Sequence, residues 1–454
     1  MIILDFKLEL FENNKDNEKE IIKILQELIR INTSNPPGNE IKAANYFYEL
    51  LTKEGFECEI FESDQDRGNL LTSLEGKNDS LPKLLLINHL DVVPANKENW
   101  EHDPFGGELI NNEIWGRGAL DMKGTCTAQI FAIIAMKRLG LKPNRTIKFL
   151  SVADEEKGGV YGAKFMVDNH WEKIKAQYVL GEGGGFKLPI KQFQKYTLQV
   201  AEKGPFWTKI KVKGVATHGS IPGTGDNALA KMAEIITKIY KYNIPIQITS
   251  NYKIMVDNLD VNFLLKGLLK NRVFLKIIIN LLSKKYPGVK SFIEPLIKMN
   301  ITPTICHAGK KTNIVPDEAV CELDCRLLPG DTADNLLNQL KKILGEKYYS
   351  MIEITPIHWD EGSASEINNE FYSIIEKIMA SIDPQAKILP YMVPGTTDNR
   401  YFRWKGCIAY GFHPMIVDIP FEEMSKLAHG KNERISVNNL KLGAEFYYQL
   451  CKEF

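Results

Sequence analysis

Acidic and histidine side chains recur at the ends of apolar runs: His89 and Asp91 in LLLINHLDVV, Asp121 in GRGALDMKG, Glu155 and Glu156 in FLSVADEE, Glu182 in VLGEGGG. His429, in LAHGKNERI, completes a set in which three carboxylates and two imidazoles could share two metal ions. Zinc accepts such mixed donors at roughly 2.0–2.2 Å, and a pair of ions held this way suits hydrolysis. Each residue also has an ordinary explanation. His89 and Asp91 could simply end a strand, Asp121 is as good a helix N-cap as a ligand, and acids at 154–156 favour the positive end of a helix. Yet three consecutive carboxylates repel one another unless a cation or raised pKa values relieve them. His89 and Asp91, two apart on a strand, leave the same face, so Asp91 could accept the second N–H of a metal-bound imidazole.

Strands and helices must carry these residues to one place. Helical periodicity runs from Glu18 to Ile31 and again through AANYFYELLTKEG, TAQIFAIIAMKRLG and the stretch around YGAKFMVDN. Between them lie short β-rich runs near Cys58 and Leu70, then LLLIN, TIKFLSV and YVL. This alternation predicts an α/β fold with a mostly parallel sheet, in which ligands gather outside the carboxyl ends of the strands. After Tyr196 the pattern changes. FWTKIKVKG, NALAKMAEIITKIYKY, AVCELDCRLLPG, TADNLLNQLKKILG and MIEITPIHW suggest a β-α-β-β-α-β unit, ferredoxin-like and inserted into the first domain. The expected organisation is therefore a catalytic domain over 1–196 and 360–454, with an inserted lid over 197–359 that carries an extra helical stretch at about 251–299.

A chain of 454 residues exceeds the roughly 250–300 at which single cores stop growing, which also favours two domains. Lys and Arg number 57, Asp and Glu 57, so bulk charge makes no case for nucleic acid or an anionic membrane as partner. A small molecule is expected instead. The apolar start MIILDF lacks a long hydrophobic region and a cleavage site, no run is long enough to span a membrane, and the seven cysteines have no paired spacing. These features predict a cytoplasmic enzyme with reduced thiols, Cys321 and Cys325 being small core residues.

In order along the chain, NTSNPPGNE, NHLDVVP, WGRGALDMKG, ADEEKGG, GEGG, VKGVATHGS, TNIVPDEAVCELDCRLLPG, GTTDNR and HGKNE resemble the metallopeptidase family of acetylornithine deacetylase, succinyl-diaminopimelate desuccinylase, aminoacylase and glutamate carboxypeptidase. The branch most resembled is that of carboxypeptidase S-like and N-acyl-amino-acid hydrolases. The resemblance implies a dizinc exopeptidase-like catalytic domain, with cobalt or manganese able to substitute, and a homodimer formed through the inserted domain. His89 and Glu182 would hold one ion, Glu156 and His429 the other, and Asp121 both. Glu155 would be the general base acting on a water that bridges the ions, and Asp91 would orient His89. In the lid, His218 would stabilise the oxyanion of a partner subunit's site, and Arg326 would bind the substrate carboxylate. Asn313, Gly395 and Thr396 would add substrate contacts. The reaction implied is amide hydrolysis in N-acyl amino acids or small peptides with a free carboxylate. A dipeptidase or carboxypeptidase is the alternative within enzymology, and a non-catalytic binding protein on the same fold the alternative outside it. The stretch 251–299 is expected to pack on the lid or line a dimer contact; a basic amphipathic surface helix and a pocket for a long acyl group are the other readings.

Overall fold

The computed structural model describes residues 6–12, 14–188, 195–285, 288–419, 421–424 and 426–454; most of the apolar start, Met1–Asp5, lies outside them. The chain forms two compact units, one of Met1–Val200, Ser365–Tyr391 and Thr397–Phe454, the other of Ala201–Ala364 and Met392–Thr396. The junctions fall at 200/201 and 364/365 rather than 196/197 and 359/360, and Met392–Thr396, expected in the first unit, groups with the second.

In the first unit the strand Leu84–His89 is buried at every position. It lies parallel between Ile147–Val152 and Tyr178–Gly181, and Tyr178–Gly181 continues parallel to Ile408–Gly411. Unbroken apolar sequence is what a strand covered on both faces requires. Antiparallel strands flank this parallel centre: Gly68–Leu74 pairs with Ile147–Val152, and Cys58–Glu62 with Gly68–Leu74. The helix Lys123–Arg138 is buried along nearly its whole length and packs against the C-terminal helix Val437–Glu453. The returning segment also supplies two strands, Ile388–Val393 and Ile408–Gly411.

The second unit has the four-stranded antiparallel order Asn300–Ala308, Glu318–Leu327, Gly204–Lys213, Ile352–Trp359. With the helices Ala228–Lys241 and Ala333–Tyr349 this is the ferredoxin-like arrangement. Burial alternates along Glu318–Leu327, which puts Cys321 and Cys325 in the core with Leu323 and Leu327. Between the first helix and the second strand lie four more helices, Ser250–Asp257, Phe263–Leu269, Arg272–Lys285 and Gly288–Ile297.

Candidate metal centre

Three adjacent parallel strands end side by side, and the residues at or just past their ends face one another. His89 closes its strand, Asp154 to Glu156 follow Val152 through a 3-10 turn, and Glu182 follows Gly181. Asp121 does not cap the next helix: that helix starts at Lys123, and its N-cap position, Met122, makes no side-chain capping bond. Instead the two carboxylate oxygens of Asp121 point to different histidines. Oδ1 lies 3.2 Å from His89 Nε2, and Oδ2 lies 3.1 Å from His429 Nε2. His89 Nε2 also faces Glu182 Oε2 at 3.6 Å, and His429 Nε2 faces Glu156 Oε2 at 3.0 Å. Two His and Glu pairs thus flank one aspartate.

These separations suit metal ligands. Two donors bound at about 2.0 Å on a tetrahedral ion lie ~3.3 Å apart, close to the values found. Donor atoms of His89, Asp121 and Glu156 lie within 4.8 Å of one another, as do those of His89, Glu155 and Glu182. Glu155, expected as a base, therefore sits as close as a ligand would. One oxygen of the buried Glu156 carboxylate, Oε1, has no hydrogen-bond partner, a vacancy in bonding that a cation would fill. Without a cation the cluster is under electrostatic strain. Burial, then the neighbouring Glu182, hold Glu155 well above the usual carboxylate range. Burial and Asp121 bring Glu182 up to about 7 against the opposing pull of His89. Hydrogen bonds to Asp121 and Glu156 raise His429 to about 10. Burial opposes a charge on His89, but Glu182, Asp121 and Asp91 outweigh it and raise its pKa well above the ordinary value.

Asp91 is fully buried and joins the elements of the site. Its oxygens accept the backbone N–H groups of Glu155 at 3.0 Å and Glu156 at 3.1 Å, and Oδ1 lies 3.4 Å from His89 Nδ1. The His89 ring nitrogen is closer to the Asp91 carbonyl, at 3.0 Å, so backbone and side chain both steer the ring.

Several residues of the site were not singled out in the sequence. Asn35 Nδ2 donates to Asp91 Oδ2 at 2.8 Å and to Asp154 Oδ1 at 3.0 Å, while Arg67 donates to Asp154 Oδ1 at 2.6 Å and to Asn35 Oδ1 at 3.3 Å. Asp154 is held in the left-handed region at φ 70°, as is His429 at φ 59°; for a non-glycine residue this costs of order 1–3 kcal/mol. Glu433 accepts from the backbone of Leu120 and Asp121 at 2.8 and 3.0 Å and is clasped by Arg117 at 2.5 Å. Asn35 and Glu433 lie inside motifs already noted, NTSNPPGNE and HGKNE. Arg67 follows DQD in an exposed-looking turn, and nothing in its surroundings marks it. Asp398, which the sequence marks within GTTDNR as a supporting or structural acid, is buried, with neither carboxylate oxygen hydrogen-bonded and a pKa pushed up to about 8 by burial.

The remaining expected residues belong to the second unit, in two groups. His218 is exposed on the short strand Thr217–His218 opposite Ile314, its Nδ1 2.7 Å from Ser220 Oγ, and the Asn313 carbonyl accepts the Gly219 N–H at 2.8 Å. Arg326 Nη1 donates to Thr396 Oγ1 at 3.2 Å, next to Gly395, where a side chain would meet open space. The Arg326 guanidinium is already forked onto Asp324, at 2.8 and 3.2 Å. That pairing went unforeseen, because two residues apart on one strand face looks like a surface contact.

Comparison with known proteins places the chain among metallopeptidase relatives. A probable carboxypeptidase S-like 2 of Dictyostelium discoideum is 27% identical over 398 residues, 85% of this chain and 74% of that protein. A probable succinyl-diaminopimelate desuccinylase of Staphylococcus aureus is 27% identical over 388 residues, 85% of this chain and 86% of the relative. An M20 family metallo-carboxypeptidase from Sulfolobus solfataricus shares the fold at a TM-score of 0.74 and 20% identity, over 95% of this chain and 98% of its own. The pattern of Peptidase family M20/M25/M40 matches residues 85–453, from the strand that ends in His89 to the last helix, and the chain belongs to that family.

Proposed function

We propose that this protein hydrolyses the amide bond of N-acyl amino acids or small peptides that carry a free carboxylate, at a two-metal centre. Membership of the M20 family makes it a metal-dependent amide hydrolase; the residues and substrate are our reading. The observation that carries it is the placing of Asp121, with one oxygen on the His89 and Glu182 side and the other on the Glu156 and His429 side. Zinc is the ion this donor set favours, and cobalt or manganese could replace it. Ions bound there would polarise the substrate carbonyl and acidify a water shared between them. With such ions held by His89, Asp121, Glu156, Glu182 and His429, Glu155 would be the group placed to take a proton from the attacking water. When the carbon–nitrogen bond breaks, Glu155 would return that proton to the departing amine. Asp91 holds the backbone of Glu155 and Glu156 and the His89 ring in place throughout.

Arg326 suits a carboxylate ligand because Asp324 fixes its plane while Nη1 remains directed at Thr396. His218 stands elsewhere on the same unit. Arg326 is eight residues along its strand from Glu318, about 26 Å at 3.3 Å per residue, and His218 lies beyond the Glu318 end, opposite Ile314. A small substrate held by Arg326 cannot touch His218 of the same copy. We therefore place His218 in the site of a second copy, within a homodimer built through the inserted domain.

The deciding experiment is a hydrolysis screen of N-acyl amino acids and dipeptides with zinc, cobalt or manganese added. Turnover of N-acyl amino acids is expected, faster turnover of dipeptides would select the dipeptidase reading, and no turnover with metal bound would favour a binding protein.

A further inference from the structure

A helix of a globular protein needs one apolar face to bury, and Arg272–Lys285 has two. Leu275 and Ile279 point into the unit and are buried. On the other side Val273, Ile277 and Leu281 recur at four-residue spacing beside Phe274, and all four are exposed, Val273 at 67% and Leu281 at 60%. The preceding helix, Phe263–Leu269, has no buried residue, and it shows Phe263 at 86% and Leu264 at 75% exposure. The two helices pack against each other. Single apolar side chains at a surface need no explanation, but a cluster of this kind marks an interaction face.

Charge identifies the occupant. From Val261 to Ile293 there is no acidic residue, while Lys266, Lys270, Arg272, Lys276, Lys284, Lys285 and Lys290 fall within it. Among these cations, Lys270 forms an ion pair with Asp257, which precedes the run. Net neutrality of the whole chain concealed this local excess. A second copy of the same face is a poor match, since a two-fold contact sets each patch against itself, and cations would meet cations. Lysine is also depleted at the centre of protein interfaces. Aromatic and leucine side chains interleaved with lysine are the make-up of helices that lie in the plane of a bilayer, where lysine stems run along the apolar surface and their heads meet anionic lipid. No described helix is long and apolar enough to cross a membrane, and a surface-lying helix has no need to be.

We propose that Phe263–Leu269 and Arg272–Lys285 form a docking face for an anionic lipid bilayer. The proposal stands apart from the hydrolytic reading. Its test is co-sedimentation of the full chain with vesicles of phosphatidylcholine containing phosphatidylserine, and with phosphatidylcholine alone, at low and high salt. Binding to the anionic vesicles that weakens by about tenfold or more on raising salt is expected. The double variants Phe263→Ser/Phe274→Ser and Lys276→Glu/Lys284→Glu should each lose that binding, while melting temperature and turnover of a small soluble substrate stay at the parent values. Absence of binding to phosphatidylserine vesicles, or equal binding to both kinds, would overturn the proposal. So would a parent dimer that becomes monomeric in Phe263→Ser/Phe274→Ser, which would assign the face to a second copy.

Discussion

At the carboxyl end of the parallel strands the chain buries charge; along Phe263–Lys285 it exposes apolar surface. Both reverse the ordinary sorting of residues, and they do so differently. In the first region almost every reversal is answered by a bond: Asp91 collects donors from Asn35, Glu155 and Glu156, and Glu433 collects Leu120, Asp121 and Arg117. In the second, Phe263, Val273 and Leu281 stay exposed among the described residues. Dense internal bonding suits a small ligand held to a fraction of an ångström. Loose apolar exposure suits a large partner with no fixed shape.

The contrast can be broken most severely at Glu155. Glu155→Gln should lower kcat by about 10²–10⁴-fold, the usual contribution of general acid–base catalysis, with metal content by mass spectrometry unchanged; near-normal turnover would remove it as the base. Next comes the support behind the ligands. Asn35→Ala should weaken metal binding or activity by about 10–100-fold, and a wild-type metal titration together with wild-type kcat would make Asn35 merely structural.

The electrostatic strain at the strand ends can be read from stability against pH. Glu182 ionises near 4.5 in the unfolded chain but near 7 in the metal-free fold, so ionisation favours unfolding across that window. His429, raised to about 10, adds stability that is present below about 6.5 and lost as pH rises through 10. Both signs agree: these groups should make metal-free protein less stable as pH climbs from 4.5 to 10, and added zinc should raise the melting temperature more at pH 8 than at pH 5. A metal-induced increase that is larger at pH 5 would contradict this.

The proposed sharing of His218 between two copies can be tested more sharply. Equal amounts of inactive His218→Ala and Glu155→Gln chains, allowed to exchange, should recover about a quarter of parental activity, since half the dimers are mixed and each holds one complete site. No recovery after proven exchange would return His218 to its own copy. The smallest effects belong to the helix Arg272–Lys285. Ile279→Ala should cost about 2–4 kcal/mol, whereas Phe274→Ser, on the opposite face, should change stability by less than about 0.5 kcal/mol.

What the sequence made legible was whatever has a period or a fixed offset. Alternation of strand and helix predicted the parallel centre, and strand-end acids predicted the cluster, because both are local consequences of backbone geometry. Joining His429 to them depended on family resemblance, since no local rule links residue 429 to residue 89. Arg67 stayed hidden because its role comes only from the turn that folds it back on Asp154. The lysines of 261–293 were visible from the start, yet only exposure of Val273, Phe274 and Ile277 shows that the helix has a second apolar face.

The discontinuity of the first unit has a consequence for synthesis. His89, Asp121, Glu156 and Glu182 are all translated before the inserted unit begins, whereas His429 and Glu433 come after its full length. A nascent chain can hold at most part of the ligand set while the insert is being made. Closing the set requires contacts spanning 340 residues of sequence, 89 to 429, and such long-range closure is intrinsically slow. On the proposed ligand set, complete metal loading would therefore need both the N-terminal and the returning segments of the first unit, and would report that they have met.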